Sequence, residues 1–460
     1  MGGLGLPRRL SDVGAVRGFL RTADVPHVRP FGAAAYSSEM TLSDRLIAMQ
    51  SEKRTPADAQ PSVDSAGRQR PAAGSSEVTV GVEEEYLLVD PVSRQLSPQA
   101  DKVVAQAAGD LGDRVTTEIT RYQVEVRTDP HTSLTDLGDQ LRATRNAVAH
   151  AAARLGLRVI SSGTPILGQL NPPPLSPGVR YAQSLAKFGA LDHEQSVCAC
   201  HIHVGVPDVA TALQLSNHLR PWLPALLAMT ANSPYWDGKD TGYASWRTMT
   251  WGRWPVAGPP PYFESRTHFE DLLDRLVASE TLLDRGGLYW DIRPSHHVPT
   301  LEIRIADAAP TVDDTLLLAG TVKGLAVTAM AAIHNSQAAP CPQPEMLRAA
   351  CWRAARDGLS GRSINLDTGW LEPTAVHLGR LWNTALPAVA TSDDRTLLQA
   401  AQLRLRSEGN GADRQRAAYR RRDSHTDVVD YLIETAAAAP GCPADSVTDE
   451  SGRRGRSCSA

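Results

Sequence analysis

"TLEIRIAD", Thr300 to Asp307, sets an acid and a base into a segment that otherwise reads as a buried strand. Leu301, Ile303 and Ile305 alternate with Glu302, Arg304 and Ala306, and alternate side chains of a strand point to opposite faces. One face is then aliphatic core. The other carries a carboxylate beside a guanidinium, with Ala306 continuing it. Three further segments repeat the pattern. In "GVEEEYLLVD" Glu83 and Glu85 share one face, while Val82, Glu84 and Tyr86 share the other. In "YQVEVRTD" Gln123, Glu125 and Arg127 oppose Val124 and Val126, and in "CHIHVGV" His201 and His203 oppose Ile202 and Val204.

Taken singly, each motif favours a solvated outer face, a structural histidine pair or a surface ion pair. Four strands repeating the pattern, with Glu84 the one charge on the wrong face, point to a functional surface. Same-face neighbours on a strand lie roughly 6.5 Å apart at the backbone, close enough for their carboxylates to hold adjacent cations, which sit roughly 3.5–4 Å apart in two-metal sites. Gathering Glu83, Glu85, Glu125 and Glu302 on one surface is costly, because like charges raise one another's pKa. Divalent cations remove that cost. Oxygen-rich ligands select Mg²⁺ or Mn²⁺ and tolerate one imidazole, and Mg²⁺ completes its shell with water and substrate phosphates. The chain has neither a G-x-x-x-x-G-K-[ST] loop nor a Rossmann glycine pattern, so ATP would be held through metals and arginine.

Composition limits the alternatives. The chain has 460 residues and a net charge of −4, which gives no electrostatic reason to expect nucleic acid. Residues 1–77 are rich in Arg, Ser, Ala, Pro and Gly and read as a disordered extension, and 438–460 read as a disordered tail. Residues 78–437 read as one catalytic domain. The six cysteines lack disulfide-framework spacing, which favours a reducing, cytoplasmic compartment. No stretch reads as a membrane span. Strands and helices mix without a βαβ alternation, so the expected class is α+β with an antiparallel sheet. Ser133 is the expected N-cap of a helix ending at Gly156, and Pro221 and Pro224 should break the helix that follows the His-x-His strand. Trp236 to Phe263 reads as a long loop. Within Asn232 to Gly258 the aromatics Tyr235, Trp236, Tyr243, Trp246, Trp251 and Trp254 fit either a local core or the wall of a substrate cleft.

The segments "GVEEEYLLVD", "QVEVRT", "HIHVGVPD", "ANSPYWDGKDTGYASWR", "TLEIRIADA" and "GNGADRQR" occur in order between about Thr79 and Thr435. Together they resemble the glutamate–cysteine ligase type 2 family, the YbdK-like carboxylate–amine ligases. The resemblance implies a glutamine-synthetase-like fold, a curved antiparallel sheet with helices on its outer face and metals on its inner one. It implies an ATP-dependent ligase forming an amide through an acyl phosphate, with glutamate and cysteine as substrates and γ-glutamylcysteine as product. Carried over by motif, Glu83, Glu85, Glu125, His201 and Glu302 become metal ligands, with His203 less firmly placed. Glu302 and Arg304 become catalytic, Arg304 also facing phosphate, and Arg247 becomes a substrate-binding arginine. "GNGADRQR" offers backbone N–H groups and Arg414 to phosphate, or else a helix stop at Gly409 followed by a charged turn. The partners expected are small molecules, an amino-acid carboxylate and an amine; an open sheet edge would favour a homodimer. Rival readings are a zinc hydrolase built on His201 and His203, a ligase for other acids and amines, and a degenerate ligase kept as a binding protein.

Overall fold

The seven strands of the main sheet are β1 (Val80–Val89), β2 (Val115–Thr117), β3 (Gln123–Arg127), β4 (Arg158–Ile160), β5 (Ala199–Gly205), β6 (Ile292–Pro294) and β7 (Thr300–Asp307). The computed structural model of the chain describes residues 77–169, 171–389 and 391–437; apart from Glu77, the expected disordered ends lie outside them. The strands run in the order β6-β7-β5-β1-β3-β2, with β4 pairing the far end of β1. Every pairing is antiparallel, which makes this the expected α+β architecture.

One face of the sheet is apolar and wholly covered. Val80, Val82, Ile202, Val204, Leu301, Ile303 and Ile305 enter a core with the helices Val209–Leu219, Leu223–Thr230 and Val312–His334. Tyr86, Leu88, Val124 and Val126 pack under the helices Ala100–Leu111 and Leu134–Arg154. Burial of each large aliphatic side chain contributes about 1.5–3 kcal/mol, and this fixes which face each strand turns inward. The register follows, because a slip of one residue would bury the acids.

Local signals place the helices. The Ser133 side chain accepts the Asp136 N–H at 3.2 Å and caps Leu134–Arg154, with Gly156 following at φ 74°. Pro221 and Pro224 divide one apolar run into Val209–Leu219, a 3₁₀ turn and Leu223–Thr230.

Glu84 is explained by what lies beneath it. Only 2% exposed, it meets Arg145 at 3.0 and 2.5 Å, the Tyr86 hydroxyl at 2.5 Å and the Thr315 hydroxyl at 2.6 Å. It is a fully paired charge tying β1 to two helices, on the opposite face from the other acids.

Several expectations need correction. The Trp236–Phe263 stretch is not all loop: Ser245 caps a helix over Trp246–Trp251. The residues after Gly409 form a helix, Gly411–Tyr419, closed by a capping box between Asn410 and Asp413. A hairpin of Arg362–Ile364 and Leu371–Pro373 was not anticipated. Val312–His334 is long and apolar enough to cross a membrane, although no such stretch was expected. Its apolar window is 67% buried within the protein, where it serves as the central core helix.

The alternation in β7 also breaks. Its register against β5 shifts between Ile303 and Ala306, so Arg304 and Ile305 together span one position, as in a β-bulge. Ala306 then pairs with Cys200 and joins the core. Asp307, paired with Ala199, takes the place on the acid face that strict alternation gave to Ala306.

Candidate active site

The sheet's open face carries a row of charges fixed by strand register. Glu125 stands opposite Glu85, His201 opposite Glu83, His203 opposite Glu302, and Glu302 opposite Arg293. This row resolves into two groups. In the first, Glu83, His203 and Glu302 place ligand atoms within 4.8 Å of one another. In the second, Glu85, Glu118 and Glu125 do the same. Glu118, which sequence reading passed over, comes from the connection between β2 and β3, where the Ile119 N–H bonds its carboxylate at 2.7 Å. A loop acid shows no alternation, so no strand pattern could have marked it.

The two histidines stand differently in the site. His203 bonds the Thr300 hydroxyl through Nδ1 at 2.8 Å, and its buried Nε2 is left without a hydrogen-bond partner, 3.2 Å from a Glu83 oxygen. His201 lies between the groups: its Nδ1 is 3.0 Å from Glu83 and 3.7 Å from Glu302, and its Nε2 is 3.9 Å from Glu85. Thus His203, rather than His201, joins the first group, although the His201 Nε2 is also buried and unpartnered.

The electrostatics of the groups are opposite. Burial would raise Glu83, but His201 and His203 outweigh it and hold its carboxyl well below the usual range. Against the same burial, Arg304 and Arg293 hold Glu302 down. In the second group Arg247, Arg304 and the Ala199 N–H only partly offset burial and the like charges. Burial and the Glu118 carboxylate push Glu85 up to about 8. Burial, with Glu118, Glu83 and Glu85 around it, drives Glu125 well above the carboxylate range. Burial moves His201 down to about 4, so its ring is neutral at pH 7.

These residues fit divalent cations. Two triads of converging ligand atoms, and a carboxylate cluster whose members raise one another's pKa, call for positive charge. The Thr300 bond orients the His203 ring as outer partners orient metal-binding imidazoles. Carboxylates dominate both groups, which suits Mg²⁺ or Mn²⁺ better than zinc.

Beside the second group opens a cavity of about 200 Å³ lined by Glu85, Glu118, His201, Arg247, Arg293 and Arg304. Arg304 pairs with Glu302 through one guanidinium nitrogen, and its Nε is buried and unpartnered. Arg293, also missed, clasps Glu302 at 2.7 Å. Its alternation with Ile292 in "WDIRPS" was the available signal. The bulge in β7 positions Arg247, whose guanidinium donates to the carbonyls of Arg304 and Ile305 at 3.2 and 3.5 Å. Asp307 completes this latch by accepting from the Asn232 N–H and the Ser233 hydroxyl at 2.7 Å, and from the Ser245 hydroxyl at 2.8 Å.

The aromatics split between the two readings offered for them. Trp251 and Trp254 line the cavity with Tyr289, their ring centroids 5.0–6.1 Å apart. Tyr235 packs instead on Tyr419 and His425, and Tyr243 on Trp246. Arg414 is not in the cavity wall. It is bound at 2.9 Å to Asp314 on the helix Val312–His334 and by Nε to the Asn410 carbonyl. Cys198 and Cys200 are buried free thiols in two separate cores, Cys198 accepting from the Gln123 amide at 3.4 Å.

Known proteins resemble this chain in sequence and in fold. A sequence profile of the glutamate–cysteine ligase family 2 matches residues 79–432. A Saccharopolyspora erythraea protein provisionally named glutamate–cysteine ligase 2-1 is 43% identical over 372 residues, 79% of this chain and 98% of that protein. A Mycobacterium sp. protein provisionally named glutamate–cysteine ligase 2-2 is 43% identical over 362 residues, 78% of this chain and 99% of its own. Among solved structures, the glutamate–cysteine ligase of Francisella tularensis in complex with AMP matches with a TM-score of 0.62 at 12% identity, covering 78% of this chain and 88% of that one. A bifunctional glutathione synthetase from Pasteurella multocida matches with a TM-score of 0.57 at 14% identity, covering 78% and 51%. At these identities the structural matches speak for the fold.

Proposed function

The chain belongs to the glutamate–cysteine ligase family 2 and is a ligase forming C–N bonds; from that premise we propose that it joins the γ-carboxylate of glutamate to the amine of cysteine, with ATP cleaved to ADP and phosphate. The observation that carries this reading is the pairing of two carboxylate-rich ligand groups with an arginine-lined cavity on one sheet face.

A carboxylate does not react with an amine near neutral pH until one of its oxygens becomes part of a leaving group. In the first step that oxygen attacks the γ-phosphorus of ATP, the bond to the bridging oxygen breaks, and ADP and an acyl phosphate result. In the second, the amine attacks the acyl carbon, the C–O bond to phosphate breaks, and a proton leaves the nitrogen. Both steps concentrate negative charge near the transferring phosphoryl group. Mg²⁺ or Mn²⁺ held by Glu83, His203 and Glu302, and by Glu85, Glu118 and Glu125, would supply electrostatic neutralisation there. His201 contributes a neutral ring between the two sets. Arg304 and Arg293 are held in place by Glu302, so their charge is fixed before substrate arrives and no reorganisation is needed during reaction. Arg247, held by the bulge and the Asp307 latch, binds a substrate carboxylate, for which a planar guanidinium is suited. The aromatic wall of Trp251, Trp254 and Tyr289 keeps water from the reacting carbon. The chemistry needs no side-chain nucleophile.

The test is ATP consumption with Mg²⁺, glutamate and cysteine, with products read by mass spectrometry. ADP matched by γ-glutamylcysteine supports the proposal. ADP formed only with another acid and amine keeps the reaction and replaces the substrates. Glu302→Gln should lower turnover by at least about 100-fold, since it uncouples two arginines and one ligand group at once. Near-normal turnover in that variant would sink the assignment.

A further inference from the structure

One wall of the cavity has no part in the phosphoryl chemistry. It is built from the helix Val179–Phe188 and the turn that follows, and it brings Ser184, Asp192 and Gln195 to the cavity just before β5 begins. Gln195 is 2% exposed, yet among the described residues neither its Oε1 nor its Nε2 has a hydrogen-bond partner. Buried polar atoms are nearly always paired in folded proteins, so an amide in a cavity wall without a protein partner at either end is available to a ligand. Asp192 is 3% exposed. Its two oxygens share one hydroxyl donor, Ser184, at 3.1 and 3.0 Å, and among the described residues no Lys or Arg pairs with it. A backbone bond from the Gln195 N–H to the Asp192 carbonyl at 3.3 Å sets both on one turn. A carboxylate with spare lone pairs therefore stands beside an amide offering a donor and an acceptor.

We propose that Asp192 and Gln195 form the specificity subsite for the acyl-donor amino acid, Asp192 and the Gln195 carbonyl receiving its α-ammonium and the Gln195 amide N–H its α-carboxylate. The inference rests on the ligase reading for which substrate enters. Chemistry decides between the two amino acids. The acceptor's amine must be neutral to attack the acyl carbon, and a carboxylate clamp holds it protonated. The acyl donor's ammonium takes no part in bond making and is the group such a clamp suits. The subsite makes the enzyme select an α-amino acid over the same acid without its amino group, because the analogue leaves buried polar atoms unpaired.

The experiment compares kcat/KM for glutamate and glutarate, with cysteine and MgATP, in the wild type, Asp192→Asn, Gln195→Leu and Gln195→Asn. The expected result is a strong preference for glutamate in the wild type. The preference should fall about 10- to 100-fold in Asp192→Asn and Gln195→Leu, the scale of a hydrogen bond to a charged group. The loss should lie in the KM for glutamate, with the KM for ATP unchanged, which a merely structural role would not produce. If Gln195→Leu does not fold, Asp192→Asn and Gln195→Asn carry the comparison. An unchanged preference in the folded variants overturns the inference. If the wild type turns over no ATP with any pair, the ligase reading has failed. The subsite is then tested by calorimetry of glutamate and glutarate with the wild type and Asp192→Asn. Selective glutamate binding lost in the variant upholds it, and equal binding or none overturns it.

Discussion

Replacing Arg145 by Met removes the cation from beneath β1 and leaves Glu84 buried with two hydroxyls for company. In the native protein the Arg145 guanidinium meets both Glu84 oxygens at 3.0 and 2.5 Å and also donates to the carbonyls of Ala309 and Pro310 at 3.0 and 3.2 Å. The two side chains are only 4% and 2% exposed. Removing one partner of such a pair costs about 3–5 kcal/mol, because the remaining charge stays desolvated and uncompensated. Against a typical total of about 5–15 kcal/mol, Arg145→Met should bring the protein near its unfolding threshold. Urea denaturation reads this as a lower midpoint at an unchanged slope. The double variant Glu84→Gln/Arg145→Met should recover about 2 kcal/mol, since a neutral amide can bond Tyr86 and Thr315 without a counter-charge. The pair lies on the face opposite the ligand groups, so ATP turnover at a temperature where the variant is folded should stay within about threefold of wild type. A loss below about 1 kcal/mol in the single variant, or a double variant as unstable as the sum of the singles, would refute this reasoning.

Other outcomes follow from the site. Without divalent cations, folded Glu85 keeps its proton up to about pH 8 while the unfolded group has lost it above its ordinary 4.5. The folded state binds the extra proton, so stability falls as pH rises through that window, by about 1.4 kcal/mol per pH unit for the one group. Mg²⁺ should accordingly raise the melting temperature more at pH 8 than at pH 6; equal shifts would contradict the account. Asp307→Asn replaces an acceptor of three hydrogen bonds with a mismatched amide, and should raise the KM for the acid substrate about tenfold through Arg247 while sparing that for ATP. Steady-state kinetics with each substrate varied would show it. Arg414→Ala should lower stability by about 1–2 kcal/mol through Asp314 and leave the KM for ATP unchanged. A tenfold rise in that KM would restore the phosphate-binding reading of "GNGADRQR".

What the sequence revealed depended on periodicity. The acid face was legible at Glu83, Glu85, Glu125 and Glu302 because each alternates with core aliphatics whose burial fixes the register. Arg293 carried the same signal in a strand of three residues, too short to stand out. The bulge at Arg304 and Ile305 was invisible, since one extra residue costs no apolar position and merely moves Asp307 where Ala306 was expected. Glu118 and Gln195 lie outside any strand, so only tertiary packing brings them to the site. His201 and His203 share a face and differ only in what their other ring nitrogen touches, which no spacing encodes. Arg414 could not be placed from sequence, because a glycine-rich turn before a helix suits phosphate as well as it suits an Asn410 cap.

The most direct test of the central claim follows one oxygen atom. Glutamate labelled with ¹⁸O in its γ-carboxylate is incubated with ATP, Mg²⁺ and cysteine, and the released phosphate is weighed by mass spectrometry. Activation through an acyl phosphate requires one labelled oxygen to pass into each phosphate for every γ-glutamylcysteine formed. Phosphate free of label, or ADP released without any amide, would contradict it.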